Sequence, residues 1–296
     1  MLKIEHVSKT FGNKKVVNNI SFSLDKPMVY GLLGTNGAGK TTTIRLLLGI
    51  IKKETGIITW KNQVVTRKSV NFGYLPEERG IYPKVKIIDQ LIYFALLKGM
   101  KKNDAIKSIN KWAKTLKVEE YINMKAEQLS KGNQQKIQFM IAVIHNPDLI
   151  VLDEPFSGLD PVNTEILKKA INDLVKKGKY IIMSAHEMYT IEEFCTDILI
   201  LNKGNTVLQG NLKEIKNTYP ANRVIIETNK DISNYLDKLE IEREHDYIYT
   251  IKINNENDAH VLLNKLVKNN ILINKFEIMK PTLNDIFIEK VGGSNE

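Results

Sequence analysis

The chain has 296 residues, enough for one large core and one small one, and its 43% hydrophobic and 26% charged residues are those of a globular protein rather than a disordered one. No apolar run reaches the ~20 residues needed to span a bilayer: the richest, 44–51, is interrupted by Arg45 and Gly49, and Glu5 and His6 stand where a signal peptide would need apolar side chains. The net charge of +9 admits an anionic partner, but only five of the 43 basic residues are Arg, the side chain that forks onto phosphate, so no nucleic-acid partner is expected.

In chain order, 2–7 and 20–24 alternate as strands do, and 28–33 is a short apolar run suited to a buried strand. A glycine-rich turn over 34–39 leads into a helical pattern over 40–48. Helices follow over 87–98, 102–116 and 134–144, so the middle of the chain, about 85–146, is a helical insertion. Apolar strand-like runs return at 149–152, 180–183 and 198–201, with a helix over 164–177 between the first two. Strands alternating with helices predict a mostly parallel sheet with crossovers. Past residue 216 the character changes. Strands over 224–227, 247–253 and 273–278, with helices over 232–239, 258–268 and 282–291, form a small α+β unit of their own. The boundary is placed near 217–221, around Pro220, dividing the chain into 1–216 and 221–296.

The most specific segment is Gly34-Thr35-Asn36-Gly37-Ala38-Gly39-Lys40-Thr41-Thr42, a phosphate-binding P-loop pattern set between a strand and a helix. Glycines let consecutive backbone N–H groups turn toward phosphate oxygens, and the helix N-terminus adds its dipole. Lys40 neutralises phosphate charge and the Thr41 hydroxyl suits Mg²⁺. A second segment, an apolar strand ending in Asp153 and Glu154, places one carboxylate beside that metal and a second where it can take a proton from water. Ser130-Lys131-Gly132-Asn133 reads as the capped start of an amphipathic helix, which also fits an ordinary N-cap.

Together these segments resemble, over roughly residues 1–215, the ATP-binding subunits of ABC transporters. The resemblance implies an α/β P-loop NTPase core of the ABC type with a helical subdomain insertion, followed by the small C-terminal α+β domain. It implies that Leu129–Asn133 is similar to the LSGGQ signature, departing at Lys131 and Asn133, and contacts ATP held by an opposite subunit. Ser157 and Asp160 resemble the D-loop that crosses that interface. His186 resembles the switch histidine that senses the γ-phosphate and, with Glu154, serves catalysis. Phe11 matches the aromatic that stacks on adenine. Residues 73–77 resemble the Q-loop, with Glu77 where most of the family has Gln, either beside Thr41 and Asp153 as a metal ligand or pointing outward to pair with a basic group on the permease.

ATP and Mg²⁺ are therefore the expected cofactors, and ATP hydrolysis the expected activity. The expected partners are a separate membrane-spanning permease and a second ATP-binding subunit, identical or different. Residues 74–83 and the short C-terminal domain resemble exporters of drugs, sodium or bacteriocins in the ABC-2 class. The single cysteine, Cys195, has no internal disulfide partner and fits a reducing compartment, so the expected place is cytoplasmic, on the inner face of the membrane through the permease. The competing function is a soluble ABC ATPase acting on ribosomes or DNA. A single P-loop and the 89 positions between Lys40 and Leu129, too few for a long coiled coil, speak against it.

Overall fold

The computed structural model describes residues 1–66, 70–78, 80–185, 188–236 and 239–292. It divides into two compact units, Met1–Gln209 and Gly210–Glu296. The division falls ahead of the 217–221 region expected from the sequence, inside the last strand of the first unit's parallel-core sheet.

The first unit begins with β1 (Leu2–Phe11) and β2 (Lys14–Leu24), followed by β3 (Val29–Gly34) and α1 (Lys40–Leu47). Next come β4 (Thr55–Trp60), β5 (Gln63–Val64) and β6 (Phe72–Leu75), then α2 (Ile87–Leu97), α3 (Lys102–Leu116) and α4 (Lys131–Val143). β7 (Leu149–Asp153), α5 (Pro161–Lys176), β8 (Tyr180–Ser184), α6 (Met188–Phe194), β9 (Asp197–Asn202) and β10 (Asn205–Asn211) complete it. Six strands form a sheet in the order β10-β9-β3-β8-β7-β6. From β9 to β6 the pairing is parallel throughout. Every residue of β3 and of β7 is buried, as expected of parallel strands covered on both faces.

A second, antiparallel sheet has the order β2-β1-β4-β5. β1 and β2 run further than the alternation predicts, because bulges break their register. His6 and Asn19 sit at those breaks with φ of 52° each, and the bulges let pairing resume beyond a point where alternation stops. β4 and β5 were not anticipated. Lys61 and Asn62, both left-handed at φ 49° and 65°, make the two-residue turn that folds β5 back on β4. Both sheets share one apolar core, to which Leu2, Phe22, Leu32, Leu48, Trp60 and Val151 contribute.

The helical insertion is α2, α3 and α4, with 3₁₀ turns at Glu119–Tyr121 and Ala126–Gln128. Gln90, buried on α2, accepts from the Tyr82 N–H at 2.8 Å and donates to the Tyr82 and Val85 carbonyls at 2.9 Å each, fixing the loop that enters the insertion.

The second unit contains α7 (Leu212–Asn217), β11 (Arg223–Thr228), β12 (Ile241–His245), β13 (Ile248–Lys252), α8 (Glu256–Lys268), β14 (Ile273–Met279) and α9 (Leu283–Gly292). Its antiparallel sheet has the order β12-β13-β11-β14. Val224, Ile226, Tyr249, Ile251, Leu262 and Leu266 form its core.

Two expectations are corrected here. The helix over 232–239 is, among the described residues, a single 3₁₀ turn at Ser233–Tyr235. The Asp231 carboxylate takes the Ser233 N–H at 2.8 Å, and such side-chain capture of backbone competes with helix. The strand expected over 247–253 begins only at Ile248, and Tyr247 stands outside it. With Asp246 it forms the left-handed two-residue turn between β12 and β13 and is 48% exposed.

Candidate functional site

The carboxyl ends of β3, β7 and β8 lie side by side, with Asp153 in register with Ser184. Such a row at the end of parallel strands is where open α/β sheets bind ligands. After β3 the chain turns through Gly34 (φ 153°), Gly37 (φ 77°) and Gly39 (φ 105°) before entering α1. A Cβ on Gly39 would meet the Val16 carbonyl oxygen at 2.5 Å, so only glycine lets the loop lie against β2. From outside, the Gly204 N–H donates to the Ala38 carbonyl at 3.0 Å. α1 starts at Gly39 without a side-chain cap and with no acidic residue in its first turn. Its leading N–H groups therefore remain available to an anion.

Lys40 is buried, and its Nζ donates to the carbonyls of Gly34 at 2.8 Å and Thr35 at 3.3 Å. Burial lowers its pKa, while Glu154, Asp153 and Glu77 act in the opposite direction. Opposite Lys40, the Ser184 hydroxyl donates to Asp153 Oδ1, and Thr41 Oγ1 lies 3.5 Å from Asp153 Oδ2. Burial raises the Asp153 pKa and the Glu77 charge raises it further. The Ser184 bond, Lys40 and Thr41 hold it down.

Glu154 follows with a left-handed backbone, φ 53°. Its N–H donates to the Ser184 hydroxyl at 3.1 Å, and Gln135 on α4 donates to the carbonyls of Glu154 at 3.3 Å and Pro155 at 3.0 Å. A conformation this uncommon for a non-glycine residue persists because both flanking peptides are held.

These elements enclose a cavity of about 380 Å³ lined by Val16, Asn36, Gly37, Ala38, Gly39, Lys40, Thr41, Thr42, Glu77, Asp153 and Glu154. The P-loop, both carboxylates and Glu77 thus converge. Thr41 Oγ and the carboxylates of Asp153 and Glu77 are hard oxygen donors that fit Mg²⁺, which is commonly held by one or two carboxylates together with substrate phosphates.

Other residues lie elsewhere. Ser130 caps α4, accepting from the Asn133 N–H at 3.3 Å. It and its neighbours Lys131, Gly132 and Asn133 are not part of the cavity wall. Asp160 caps α5, accepting from the Asn163 N–H at 2.9 Å. Asn163 in turn accepts from Lys136 of α4 at 2.8 Å, so the loop through Ser157 and the Ser130 helix are tied together. Phe11 ends β1, 50% exposed, with Lys9 Nζ 5.2 Å from its ring centroid, also outside the cavity. His186 lies outside the described residues.

Ser184, Gln135 and Gln138 were not singled out from the sequence. Ser184 had a legible signal, a hydroxyl at the end of an apolar run parallel to the Asp153 strand. The glutamines had none, because their targets are carbonyls of loops distant in sequence.

Ser184 leads to a pH prediction. Removing its donor in Ser184→Ala leaves the Asp153 carboxylate less stabilised, so its pKa rises further and it protonates at higher pH. The acid limb of the ATPase profile, measured at subsaturating Mg²⁺, is expected to move to higher pH.

A glycine-rich loop at a helix start, a buried lysine and two carboxylates at the carboxyl edge of a parallel sheet define a P-loop nucleotide-binding ATPase. The family model for ABC transporters matches residues 17–157, and that for the DrrA1-3-like ATP-binding protein C-terminal domain matches 210–291. The chain is 46% identical, over 300 aligned positions covering 100% of both chains, to the ABC transporter ATP-binding protein YhaQ of Bacillus subtilis. It is 31% identical over 214 residues to the linearmycin resistance ATP-binding protein LnrL of the same organism, covering 71% of this chain and 69% of the relative. A solved ATP-binding subunit of an ABC transporter superposes with a TM-score of 0.68 at 27% identity, covering 74% of this chain and 92% of that one. The chain belongs to the ABC transporter ATP-binding proteins: it is an ATP-binding subunit and an ATP hydrolase of that family. No helix among its described residues is long and apolar enough to cross a membrane.

Proposed function

We propose that the chain is the motor of an exporter, in which two ATP-binding subunits close around Mg²⁺-ATP and move a separate permease at the inner face of the membrane. The observation that carries this reading is the cavity itself. It gathers the groups for binding and hydrolysis, yet the Ser130 helix start, a second N-terminus suited to an anion, is not in its wall. A second subunit presenting Ser130, Lys131, Gly132 and Asn133 would close the site.

Within one subunit, the P-loop N–H groups and Lys40 bind the phosphates, and Thr41, Asp153 and Glu77 hold Mg²⁺. The metal, when bound, neutralises charge on the phosphate oxygens. Glu154 accepts the proton of the attacking water. Phe11 supports adenine, His186 senses the γ-phosphate, and Ser157 and Asp160 cross to the partner. Residues 1–216 carry this chemistry and 221–296 form an accessory domain. Tyr82, Tyr93 and Leu97 leave an exposed apolar patch on the helical insertion, stacked in part on Phe94. Such a patch suits the permease. Export is favoured over import by the likeness to LnrL, whose name records resistance.

Mixing two inactive variants tests the arrangement. Lys40→Ala lacks phosphate binding and Ser130→Arg blocks the trans contact, so each alone is inactive. A mixed dimer assembles one intact site, and an equimolar mixture is expected to recover a measurable fraction of wild-type ATPase. No recovery at any ratio, with both variants folded, would remove the homodimeric form of the reading.

A further inference from the structure

α4 carries a polar residue where an apolar one would be easier to bury. Gln138 stands among Ile137, Phe139 and Met140, is 3% exposed, and packs against the loop that follows β6. Its Nε2 donates to the Pro76 carbonyl at 2.9 Å and to the Glu78 carbonyl at 3.0 Å. Its Oε1 is buried and finds no partner among the described residues. A buried amide with an unmatched acceptor costs free energy, so the position is poor for stability alone. What it supplies is the pair of N–H bonds.

The two carbonyls it holds are those on either side of Glu77. Fixing both fixes the direction in which the Glu77 side chain leaves the backbone. That direction is toward the nucleotide: Glu77 lines the 380 Å³ phosphate cavity and also an adjoining cavity of about 280 Å³ that it shares with Thr41, Arg45, Tyr74 and Asp153. Glu77 is solvent-accessible, so without the clamp nothing in the loop would hold its carboxylate at the cavity wall. Gln135, one turn earlier on α4, grips the carbonyls of Glu154 and Pro155 in the same manner.

We propose that Gln138 is a positioning residue that aims Glu77 into the phosphate cavity and thereby sets the affinity of the site for its divalent cation. The proposal rests on the reading of Glu77 as a metal-side carboxylate. Gln138 touches neither nucleotide nor metal. It acts through the backbone of 76–78, and in this chain, where Glu77 brings a full charge, misdirecting the loop changes the electrostatics of the site as well as its shape.

The test uses Gln138→Met in the full chain, which keeps the length of the side chain and removes both donors. ATP-dependent Mn²⁺ binding is read by electron paramagnetic resonance, and backbone hydrogen exchange is followed over 72–78. Faster exchange over that segment and a loss of Mn²⁺ affinity of about fivefold are expected from two lost hydrogen bonds. In a Glu77→Gln background the same substitution is expected to produce no further loss of affinity. Should Gln138→Met fold poorly, Gln138→Asn, with the amide on a shorter arm, is expected to show the same effects more mildly. Unchanged exchange over 72–78 would overturn the clamp while leaving the metal role of Glu77 intact. Equal Mn²⁺ losses in both backgrounds would show that Gln138 acts independently of Glu77 and would overturn the proposal. If Glu77→Gln alone leaves Mn²⁺ affinity unchanged, the metal reading of Glu77 fails, and the proposal falls with it.

Discussion

Glu154→Gln is expected to lower ATP turnover at least about a hundredfold while leaving nucleotide bound, since general-base assistance contributes on that scale. The substitution is unusually clean here. The Glu154 peptide is held by Ser184 on one side and by Gln135 on the other, so the amide side chain inherits the position of the carboxylate and loses only its basicity. Binding groups are untouched, because the P-loop, Lys40 and Thr41 are supplied by other elements. A site that binds ATP without consuming it should stay closed, so gel filtration is expected to show a dimer with ATP and Mg²⁺ and a smaller species without them. Near-normal turnover by Glu154→Gln would assign the catalytic carboxylate elsewhere.

Gly39→Ala is expected to reduce ATP affinity by about a hundredfold or more. Two independent costs meet at this residue. Its φ of 105° is one that side-chain-bearing residues rarely adopt, and strain of this kind costs about 1–3 kcal/mol. The added Cβ would also lie 2.5 Å from the Val16 carbonyl oxygen, a backbone atom that cannot swing aside as a side chain would. Relief requires the loop to move off β2, which turns the N–H groups of α1 away from the phosphates. Gly178→Ala separates strain from collision. Gly178 has φ of 82° but nothing within 4 Å of the added Cβ, so some stability is lost and ATP binding, measured by equilibrium titration, is expected to be unchanged. Comparable binding losses in both variants would mean that backbone strain, and not the close approach to β2, governs the loop.

Much of the site was legible because its parts are local. The run from Gly34 to Thr42 is contiguous, and its chemistry follows from glycine torsions and a helix start, both encoded within a few residues. Asp153 and Glu154 were legible because a buried strand tolerates two adjacent carboxylates at its end only where something polar or cationic meets them. β3, β7, β8, α2 and α3 were placed within a few residues, since their burial on one stripe or on both faces imposes a period on the sequence.

What the sequence determined by itself was therefore the P-loop, the carboxylate pair, the parallel core and the presence of a second unit after the first sheet. Tertiary structure alone decided the rest. β4 is a strand because β1 offers it an edge, and β5 because β4 offers it the next. Glu77 lines the phosphate cavity beside carbonyls that Gln138, distant in the chain, holds, and the rise that burial gives the Asp153 pKa is opposed by the Ser184 hydroxyl across a strand boundary. In each case the deciding partner is remote in sequence, and backbone carbonyls and paired edges leave no residue-type signature. Periodicity reports which face of a segment is buried, and only the folded chain reports what it is buried against.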